Sequence, residues 1–349
     1  MSNKKVLVVV CAYNEQDGIF HCLDSLRISI EKHNLKGCFS VVCVDNSSTD
    51  ETQDIAFKFA RENKGFNYVK IEHCNLCISR NTYKSFEGFS YIAYIDGDGY
   101  VAEDWAISLV KILNRNSDAH IVSGPVFDLE SKTENLVWDM YFDSNLYGVD
   151  NYLIGANMVF SRELLDKVDG FPSFFPVRGD ESSLLLRISN LGEDINHIFD
   201  TSLVAYNYFP SDLSTFLKVQ YTDGKRSYDI SQLSGTYLKT KLNGVLKLVS
   251  LLLLLSAPLI ALLSPALAML SFLVSIGPFL LRHKTYVKNV FGKVRSPSLM
   301  RKFKYASTII LSRYLFDVGF LSRFIENKVI KSEMLAETKN PTVVESING

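Results

Sequence analysis

The 349-residue sequence has no excess of charge of either sign. It contains 37 Lys and Arg residues against 38 Asp and Glu residues, which gives a formal net charge of -1 at pH 7. A protein that gathers nucleic acid over its surface needs a positive field, and this composition does not supply one. Nucleic acid is therefore not an expected partner.

Two common nucleotide-binding sequences are also missing. The first strand-like run is followed by "CAYNEQDG", where a dinucleotide-binding fold needs a glycine-rich turn. A G-x-x-x-x-G-K-S/T loop is absent from the sequence as well. A nicotinamide-dependent dehydrogenase and a P-loop phosphotransferase are therefore disfavoured.

Cysteine is scarce, and all 6 cysteines fall in the first quarter of the sequence. Several lie in apolar runs, where reduced and buried thiols are common, so a reducing compartment is expected. Cys74 and Cys77 have C-x-x-C spacing, but no second Cys or His pair follows at zinc-finger spacing. Inert thiols are favoured over a metal or redox site. The first residues are polar, and no cleavable secretory signal is expected.

One long segment almost completely lacks charge. Residues 245–281 contain a single charged residue, Lys247. As one helix the segment would be about 55 Å long against a hydrocarbon core of roughly 30 Å, so one straight span is excluded. Pro258 and Pro265 predict a helical hairpin, spanning or re-entrant, and basic residues beyond both ends place those ends in the cytoplasm. The alternative is a buried helical pair in a soluble core.

Two further segments follow the apolar one. Residues 303–325 mix apolar and basic residues, with Asp317 as the one acid, which is typical of an amphipathic helix on an anionic membrane surface. The polar residues 331–349 are expected to form a disordered tail.

Apolar runs alternate with amphipathic stretches through the first hundred residues. "VLVVVCAY" is followed by a helical stripe that begins at Ile19, and then by "FSVVCVD", "FNYVKIE" and "SYIAYID". This βαβ rhythm predicts an α/β fold with a mostly parallel sheet flanked by helices. Ligands bind such sheets beyond the carboxyl ends of the strands, which here carry the polar clusters 12–15, 45–50 and 96–99.

The cluster after the fourth strand reads "YIDGDG" and places Asp96 and Asp98 one glycine apart. Two carboxylates in a tight turn suit Mg²⁺ or Mn²⁺ shared with a substrate diphosphate, although such a sequence alone is most often just a turn. Asp45 ends a second apolar strand, and a nucleotide would explain the three acids together. Asp45 would contact the base, and Asp96 and Asp98 the ribose and the metal. Arg80, on the preceding helix, could counter phosphate charge.

Asp180 and Glu181 precede an amphipathic run in the second half of the sequence. Acids at this place suit a helix N-terminus, and they also suit a base that activates a hydroxyl group. The residues alone leave both interpretations open.

Six short segments, in this order, resemble motifs of the family 2 glycosyltransferases, whose members have the GT-A-type fold. The similarity covers roughly residues 5–228. The segments are Ala12-Tyr13-Asn14-Glu15, Val44-Asp45-Asn46-Ser47-Ser48-Thr49-Asp50, Ser79-Arg80-Asn81, Asp96-Gly97-Asp98, Gly155-Ala156-Asn157 and Asp180-Glu181. The segment "QYTDGKRSY" resembles a Q-Y-x-x-G-x-x-R pattern of members that build surface polysaccharides.

The resemblance implies a role for each matched residue. Asp45 contacts the nucleobase, Asp96 the ribose, Asp98 the metal, and Glu181 is the general base at the family's Asp position, with Asp180 as the alternative. Where relatives carry a His after a later strand, this sequence reads Tyr206-Asn207. The implied donor-binding residues are Ala12, Tyr13, Asn14, Glu15, Asp45, Arg80, Asp96 and Gly97; the implied acceptor-side residues are Gly155, Ala156, Asn157, Gln220 and Arg226; the implied metal ligands are Asp98 and Asp96.

The expected organisation is a GT-A-type catalytic domain over 1–235, with a donor half of about 1–100 and an acceptor half of about 101–235. A membrane hairpin and interfacial helix follow over 236–330, and a disordered tail over 331–349. The expected activity is inverting transfer of a sugar from a nucleotide sugar, UDP-sugar favoured, to a polyprenyl-diphosphate-linked glycan at the inner membrane, with the catalytic domain in the cytoplasm and Mg²⁺ or Mn²⁺ as cofactor. The alternatives are a polyprenyl-phosphate sugar transferase and a non-catalytic scaffold that binds nucleotide sugars.

Overall fold

The computed structural model describes residues 4–128, 153–173, 180–208, 212–233, 237–271, 273–275, 277, 279–281, 299–326 and 337–348. The chain divides into two compact units. The first comprises Met1–Lys132, Tyr147–Phe209 and Glu333–Gly349, and the second comprises Thr133–Leu146 and Pro210–Ser332.

The first unit begins with the predicted alternation of strands and helices. Each apolar run forms a strand that is almost wholly buried, and the stripe that begins at Ile19 faces the core. The elements are β1 (Val6–Ala12), α1 (Ile19–Lys32), β2 (Phe39–Asp45), α2 (Thr52–Glu62), β3 (Phe66–Ile71), α3 (Leu76–Arg80) with a 3₁₀ turn over Asn81–Ser85, and β4 (Tyr91–Asp96). The predicted α/β class is confirmed.

The rest of the first unit extends this sheet and adds a small second one. The further elements are β5 (Tyr100–Val101), α4 (Trp105–Arg115), β6 (Ile121–Ser123), β7 (Val126–Asp128), β8 (Met158–Ser161), α5 (Arg162–Lys167), α6 (Asp180–Ser189), β9 (His197–Phe199), β10 (Ala205–Asn207) and β11 (Val343–Asn348). The large sheet has the order β11-β3-β2-β1-β4-β8-β6-β9, and the small sheet has the order β5-β10-β7. Strands β3, β2, β1 and β4 are parallel, whereas β8 and β11 run antiparallel to their neighbours, so the sheet is more mixed than the sequence predicts.

The strand order brings three predicted site residues to one edge of the large sheet. Strand β1 lies between β2 and β4, and the register pairs Ala12 with Asp45 and Cys11 with Asp96. The chain therefore winds outward in both directions from β1, and a crevice forms at the carboxyl ends of the strands where this reversal occurs.

The tail over 331–349 is not disordered in its described part. Residues 343–348 form β11, which pairs antiparallel with β3, and the Glu72 N–H donates to the Thr342 carbonyl at 2.9 Å. The prediction of disorder rested on polar composition, and it was wrong for residues 343–348. An edge strand needs an apolar residue only on the face that meets the core. Ile347 supplies it, whereas Val344 is 58% exposed.

In the residues that the structure describes, the second unit consists of helices α7 (Leu213–Leu233), α8 (Tyr237–Leu263), α9 (Pro265–Leu281) and α10 (Leu299–Ile325). The apolar segment breaks only at Ser264, because helix α8 runs through Pro258. The Ser264 Oγ accepts from Leu267 N at 3.4 Å and Pro265 takes the first helical position, which together begin α9. Ser271 Oγ donates to the Leu253 carbonyl at 3.0 Å, so α9 folds back against α8 as a hairpin.

Helix α8 is long and apolar enough, by length and composition alone, to cross a bilayer. The candidate span is Thr240–Leu262, 23 residues, and α9 is a shorter apolar helix. Lys247 lies inside this span. Its Nζ is 2.7 Å from Asp317 Oδ1 on α10 and 3.9 Å from the centre of the Phe320 ring, so its charge is paired within the helical unit.

Helix α10 packs closely against α7. A Cβ atom at Gly224 would overlap the Phe316 carbonyl oxygen, and one at Gly319 would overlap the Tyr221 carbonyl oxygen. Two glycines therefore let the helix backbones touch where they cross. Arg323 adds a two-pronged ion pair with Asp229 at 2.8 and 3.2 Å. The interfacial helix that the sequence predicts here stays a prediction, and one of its basic residues, Arg323, is engaged by α7.

Candidate active site

The loops that follow β1 and β2 are joined by hydrogen bonds and form one wall of the crevice. Asn14 has a positive φ of 57°, which turns its amide N–H toward Ser48 Oγ at 3.0 Å. Its side-chain Oδ1 accepts from Thr49 N at 2.8 Å. Tyr13 is 45% exposed, and its ring lies 4.7 Å from the His73 ring. The predicted donor-binding segment thus has a fixed backbone and one exposed aromatic ring.

The loop after β4 packs directly against the end of β1. A Cβ atom at Gly97 would lie 3.0 Å from the Cys11 carbonyl oxygen and 3.1 Å from the Ala12 Cβ. Ala12 itself is 3% exposed, and its carbonyl accepts from Asn46 N at 2.9 Å. Ala12 and Gly97 therefore shape the backbone of the crevice and offer no side-chain contact to a ligand.

Arg80 lies at the centre of the candidate site and is 2% exposed. Its Nη2 is 3.2 Å from Asp96 Oδ1 and 3.4 Å from the Gly155 carbonyl oxygen, and its Nη1 forms an ion pair with Asp180. Burial alone would lower the Arg80 pKa, but Asp96 and Glu181 raise it, and the net pKa lies above its ordinary value. The guanidinium thus stays charged and joins the DGDG loop to the start of α6.

Three carboxyl groups share a region of unbalanced negative charge beside this arginine. Burial raises the pKa of Glu15 to about 7, with further contributions from Asp98 and Asp96. Burial and Asp96 raise the pKa of Asp98 to about 6. Mutual repulsion of this kind is relieved when a cation binds.

Asp96 and Asp98 fit a Mg²⁺ or Mn²⁺ that is shared with a diphosphate. Among the described residues, no group of three or more His, Cys, Asp or Glu side chains could hold a metal ion alone. A magnesium ion commonly takes only one or two protein carboxylates and completes its shell with phosphate oxygens and water. The raised pKa of Asp98 and the two closely spaced carboxylates match that donor set.

Asn207 is the last residue of β10, in the Tyr206-Asn207 segment that the motif resemblance aligns with a His, and it reaches the same cluster. Its Nδ2 donates to Asp96 Oδ2 at 3.3 Å, and its Oδ1 accepts from Tyr208 N at 2.6 Å. The motif comparison marked this position but gave it no role. The structure places it beside the acids because β10 pairs with β5, which directly follows the DGDG turn.

Asp45 is fully buried, although the resemblance gives it a contact with the nucleobase. Its Oδ1 accepts from Ser48 N at 2.9 Å, and its Oδ2 accepts from the Tyr68 hydroxyl at 3.0 Å. Both oxygens thus brace the loop that follows β2. A base contact would require this loop to open.

The two acids at the start of α6 have different surroundings. Asp180 is 4% exposed and is paired with Arg80. Glu181 is only partly buried, and its Oε1 accepts from Gly155 N at 2.9 Å. A Cβ atom at Gly155 would overlap both Glu181 Oε1 and the Arg80 guanidinium, so a larger residue there would displace one of these side chains. This arrangement leaves Glu181 as the acid better placed to meet a substrate.

The next two acceptor-side residues do not face the crevice. Ala156 is 3% exposed, and Asn157 is fully buried. The Asn157 Nδ2 donates to the Leu203 carbonyl at 2.7 Å, and its Oδ1 accepts from Trp105 Nε1 at 3.0 Å. Its amide is thus bonded to residues outside the crevice, and a contact of Asn157 with an acceptor stays a prediction. A buried Asn next to an apolar strand could have signalled this structural role.

Gln220 and Arg226 belong to the second unit, on α7, whereas the other predicted site residues belong to the first. Gln220 is 5% exposed. The glycine between them, Gly224, is explained by the crossing of α7 and α10. The glycine of this segment therefore has a packing reason, and an acceptor role for Gln220 and Arg226 stays a prediction.

A mixed α/β sheet with an acidic DGDG turn at its parallel edge is the architecture of GT-A-type proteins. The mannosyltransferase PcManGT from Pyrobaculum calidifontis, solved in complex with GDP-Man and Mn²⁺, shares the fold with a TM-score of 0.54 and 15% identity, over 94% of this chain and 88% of its own. Residues 7–169 match the model of glycosyl transferase family 2. Residues 7–169 are thus similar to family 2 glycosyltransferases, and the resemblance inferred from the motifs is confirmed over this region.

Curated relatives match shorter regions. Glycosyltransferase GlyA of Streptococcus pneumoniae is 25% identical over 194 residues, which are 54% of this chain and 27% of the relative. Poly(ribitol-phosphate) beta-glucosyltransferase of Bacillus spizizenii is 30% identical over 104 residues, which are 29% of this chain and 16% of the relative. The matched regions therefore span less than a third of either relative.

Proposed function

We propose that the chain is an inverting glycosyltransferase that moves a sugar from a nucleotide sugar to a glycan acceptor in cell-surface polysaccharide synthesis. The observation that carries the proposal is the link from Asp96 through Arg80 to Gly155 and Glu181. It joins the acids on the donor side to a partly exposed carboxylate on the other side. The family match and the carbohydrate-active relatives support the same class of reaction.

The donor would bind at the carboxyl ends of β1, β2 and β4. Asp96 and Asp98 would hold Mg²⁺ or Mn²⁺, which supplies charge stabilisation to the departing diphosphate. The exposed ring of Tyr13 lies where a nucleobase could stack. Arg80 orients Asp96 through their ion pair. UDP is the nucleotide we favour.

Glu181 would accept the proton of the acceptor hydroxyl during in-line attack on the anomeric carbon. The Gly155 N–H holds one carboxylate oxygen, and among the described residues no hydrogen bond to the other oxygen is found. Asp180 is a poor candidate for this role because it is buried against Arg80. The order of the two acids, reversed relative to the family pattern, is consistent with this division.

The apolar hairpin supports a lipid-linked acceptor, a polyprenyl-diphosphate glycan at the inner membrane. A tethered catalytic unit on the cytoplasmic side would search the membrane plane for such an acceptor. A transferase that uses polyprenyl phosphate is the second candidate. Its nucleophile is already anionic, so its rate would not depend on Glu181.

The proposal is tested with the full chain in detergent. Nucleotide sugars are first screened for a rise in melting temperature in the presence of Mn²⁺, since a bound ligand stabilises the folded state by mass action. Glu181→Gln should then keep the donor affinity and lower turnover by about 10²- to 10⁴-fold. Asp180→Asn is the matched variant. It should lower the melting temperature because it removes one of the two carboxylates that pair with Arg80.

Two outcomes would contradict the proposal. If a nucleotide sugar shifts the melting temperature but none is hydrolysed or transferred with Mn²⁺, the scaffold alternative is favoured and the enzyme class is rejected. If Asp180→Asn alone reduces turnover at unchanged stability, Asp180 is the base.

A further inference from the structure

The segment 337–348 returns to the first unit after the helices of the second unit and adds a strand to its sheet. Strand β11 pairs with β3 from Val343 opposite Ile71 to Asn348 opposite Asn67. The edge of β3 thus receives an extended segment of the same chain, which satisfies backbone groups that would otherwise lie open. Ile347 is the side chain of this strand that packs against the core.

The residues that precede this strand make polar contacts on a different part of the unit. The Glu337 carbonyl accepts from Ser173 N at 2.9 Å and from Arg187 Nη2 at 3.2 Å. The Lys339 carbonyl accepts from Asn81 Nδ2 at 3.1 Å, and the Lys339 N–H donates to Ser173 Oγ. These contacts are not needed to cover the β3 edge.

The contacted side chains lie next to the two partners of the buried ion pair. Asn81 directly follows Arg80, and its amide also holds Phe171 through bonds of 2.8 and 2.9 Å. Arg187 lies on α6, the helix that begins with Asp180 and Glu181. The Arg187 Nη1 donates to the Val168 and Gly170 carbonyls at 2.9 Å each. The segment therefore bonds to both sides of the Arg80–Asp180 pair.

We propose that residues 337–348 act as a strap that holds α6 and its carboxylates against α3. The strand anchors the strap at the sheet edge, and residues 337–339 transmit that anchoring to Asn81 and Arg187. The catalytic consequence, that the strap positions Glu181, rests on the proposed function. The docking of the strap does not, so the two can fail separately.

The first test compares two substitutions in the full chain. Ile347→Asp places a charge against the core and should release β11, whereas Val344→Asp changes an exposed position of the same strand. Hydrogen–deuterium exchange is measured without any ligand. Amides of β3 and of α6 should exchange at least tenfold faster in Ile347→Asp and within twofold of the unmodified chain in Val344→Asp.

The second test supplies the strap in trans. A fluorescein-labelled peptide with the sequence of residues 337–348 should bind the Ile347→Asp chain and restore slow exchange in α6. It should not bind the unmodified chain, where the tethered strand competes at an effective concentration of about millimolar. A peptide that itself carries the Ile347→Asp change is the matched control and should not bind.

The results that overturn the strap are distinct. Faster amide exchange in β3 with unchanged exchange in α6 would show that β11 covers the edge of β3 but does not hold α6. Peptide binding that leaves α6 fast would do the same. General loss of folding in Ile347→Asp would mean that the whole sheet requires the strand, and positioning would then be rejected.

A kinetic measurement with the donor identified in the screen addresses the catalytic consequence. Ile347→Asp should lower kcat at least tenfold and leave the donor KM within twofold of that of the unmodified chain. The reason is that the donor would bind to the loops after β1, β2 and β4, which are not part of the strap. A parallel loss of donor affinity would contradict positioning. If the unmodified chain has no transferase activity, the proposed function fails, while exchange and peptide binding still decide the strap.

Discussion

The positively charged guanidinium of Arg80 is buried, and the residue is 2% exposed. Two aromatic rings, those of Tyr94 and Phe171, lie 5.8 and 5.6 Å from its guanidinium carbon. Two carboxylates and a carbonyl oxygen lie against its guanidinium nitrogens. A buried ion pair adds little net stability when complete, but removal of one partner leaves an uncompensated charge.

Arg80→Met should therefore destabilise the first unit by about 3 to 5 kcal/mol, the usual cost of breaking a buried pair. Urea unfolding of the full chain in detergent measures it. Arg27→Met is the matched control, because Arg27 forms half-exposed pairs with Asp24 and Glu31. Such surface pairs contribute about 0 to 1 kcal/mol. Equal losses in the two variants would contradict the central role of Arg80.

Glu15 should make the metal-free protein less stable as the pH rises. Its pKa is raised from 4.5 to about 7 by burial, Asp98 and Asp96. Between these two values the folded state binds more protons than the unfolded state, so the free energy of unfolding falls as the pH increases. In EDTA, the free energy of unfolding of Glu15→Gln should therefore rise relative to that of the unmodified chain between pH 5 and pH 7.5. Mn²⁺ should make this difference between the two proteins smaller.

Glu31→Gln provides a control of opposite sign. A hydrogen bond from Lys36 lowers the Glu31 pKa, so this carboxylate stabilises the folded state once it is ionised. Its replacement should cost a small amount of stability above pH 5 and none at low pH. Identical pH profiles for the two variants would show that the surroundings of Glu15 are not as described.

At the scale of elements, the first four strands and the helices between them follow from sequence pattern. Each strand is an uninterrupted apolar run, and such runs occur where both faces of a strand are buried. Strand β11 and the α7–α10 crossing could not be predicted this way. In the sequence, β11 is marked by Ile347, which packs against the core, and the crossing by two glycines that lie 95 positions apart. These residues predict no structure until their contact partners, which are distant in the sequence, are known.

The candidate site shows the same limit. Motif order located the DGDG turn, Arg80 and Glu181, because these residues follow directly from strand and helix ends. It could not separate Asp180 from Glu181, or expose the structural role of Asn157, since these depend on which atoms are buried. Asn207 reaches the acids through a strand pairing that no local pattern encodes.

The α7–α10 crossing should respond sharply to a single methyl group. Gly224→Ala or Gly319→Ala would force a Cβ into the opposing backbone carbonyl, and such overpacking costs about 1 to 3 kcal/mol. Gly277→Ala is the matched helical control, because nothing lies within 4 Å of a Cβ there. Its melting temperature in detergent should be equal or higher. Tolerance of alanine at both crossing positions would contradict the close approach.

At the scale of the whole molecule, the pairing of β11 with β3 constrains the membrane topology. The chain leaves the first unit after Phe209 and rejoins it at Glu333, and the strands on the two sides of this segment, β10 and β11, both belong to the first unit. Residues 210–332 must therefore cross a bilayer an even number of times. A crossing by α8 requires a return, and α9, which folds back on α8, is the candidate for it.

Reporters fused before Lys4 and after Asn348 should both be found on the cytoplasmic side. A third reporter, inserted after Leu263 between the two arms, distinguishes a spanning hairpin, which places it outside, from a re-entrant one, which does not. Terminal reporters on opposite sides would be incompatible with the β11–β3 pairing. Removal of the full chain from membranes by alkaline carbonate would return α8 and α9 to a soluble helical core.

The position of β11 in chain order also sets a sequence of events during synthesis. Helix α8 leaves the ribosome about 80 residues before β11, a delay of about 4 to 16 seconds at ~5–20 residues per second. During this interval β3 lacks its β11 partner, and α6 lacks its contact with the strap. The apolar helices α8 and α9 could already partition into lipid. If α8 and α9 insert into a membrane, the nascent chain would be anchored there before residues 337–348 reach α6, and the first unit would complete its folding at the membrane surface.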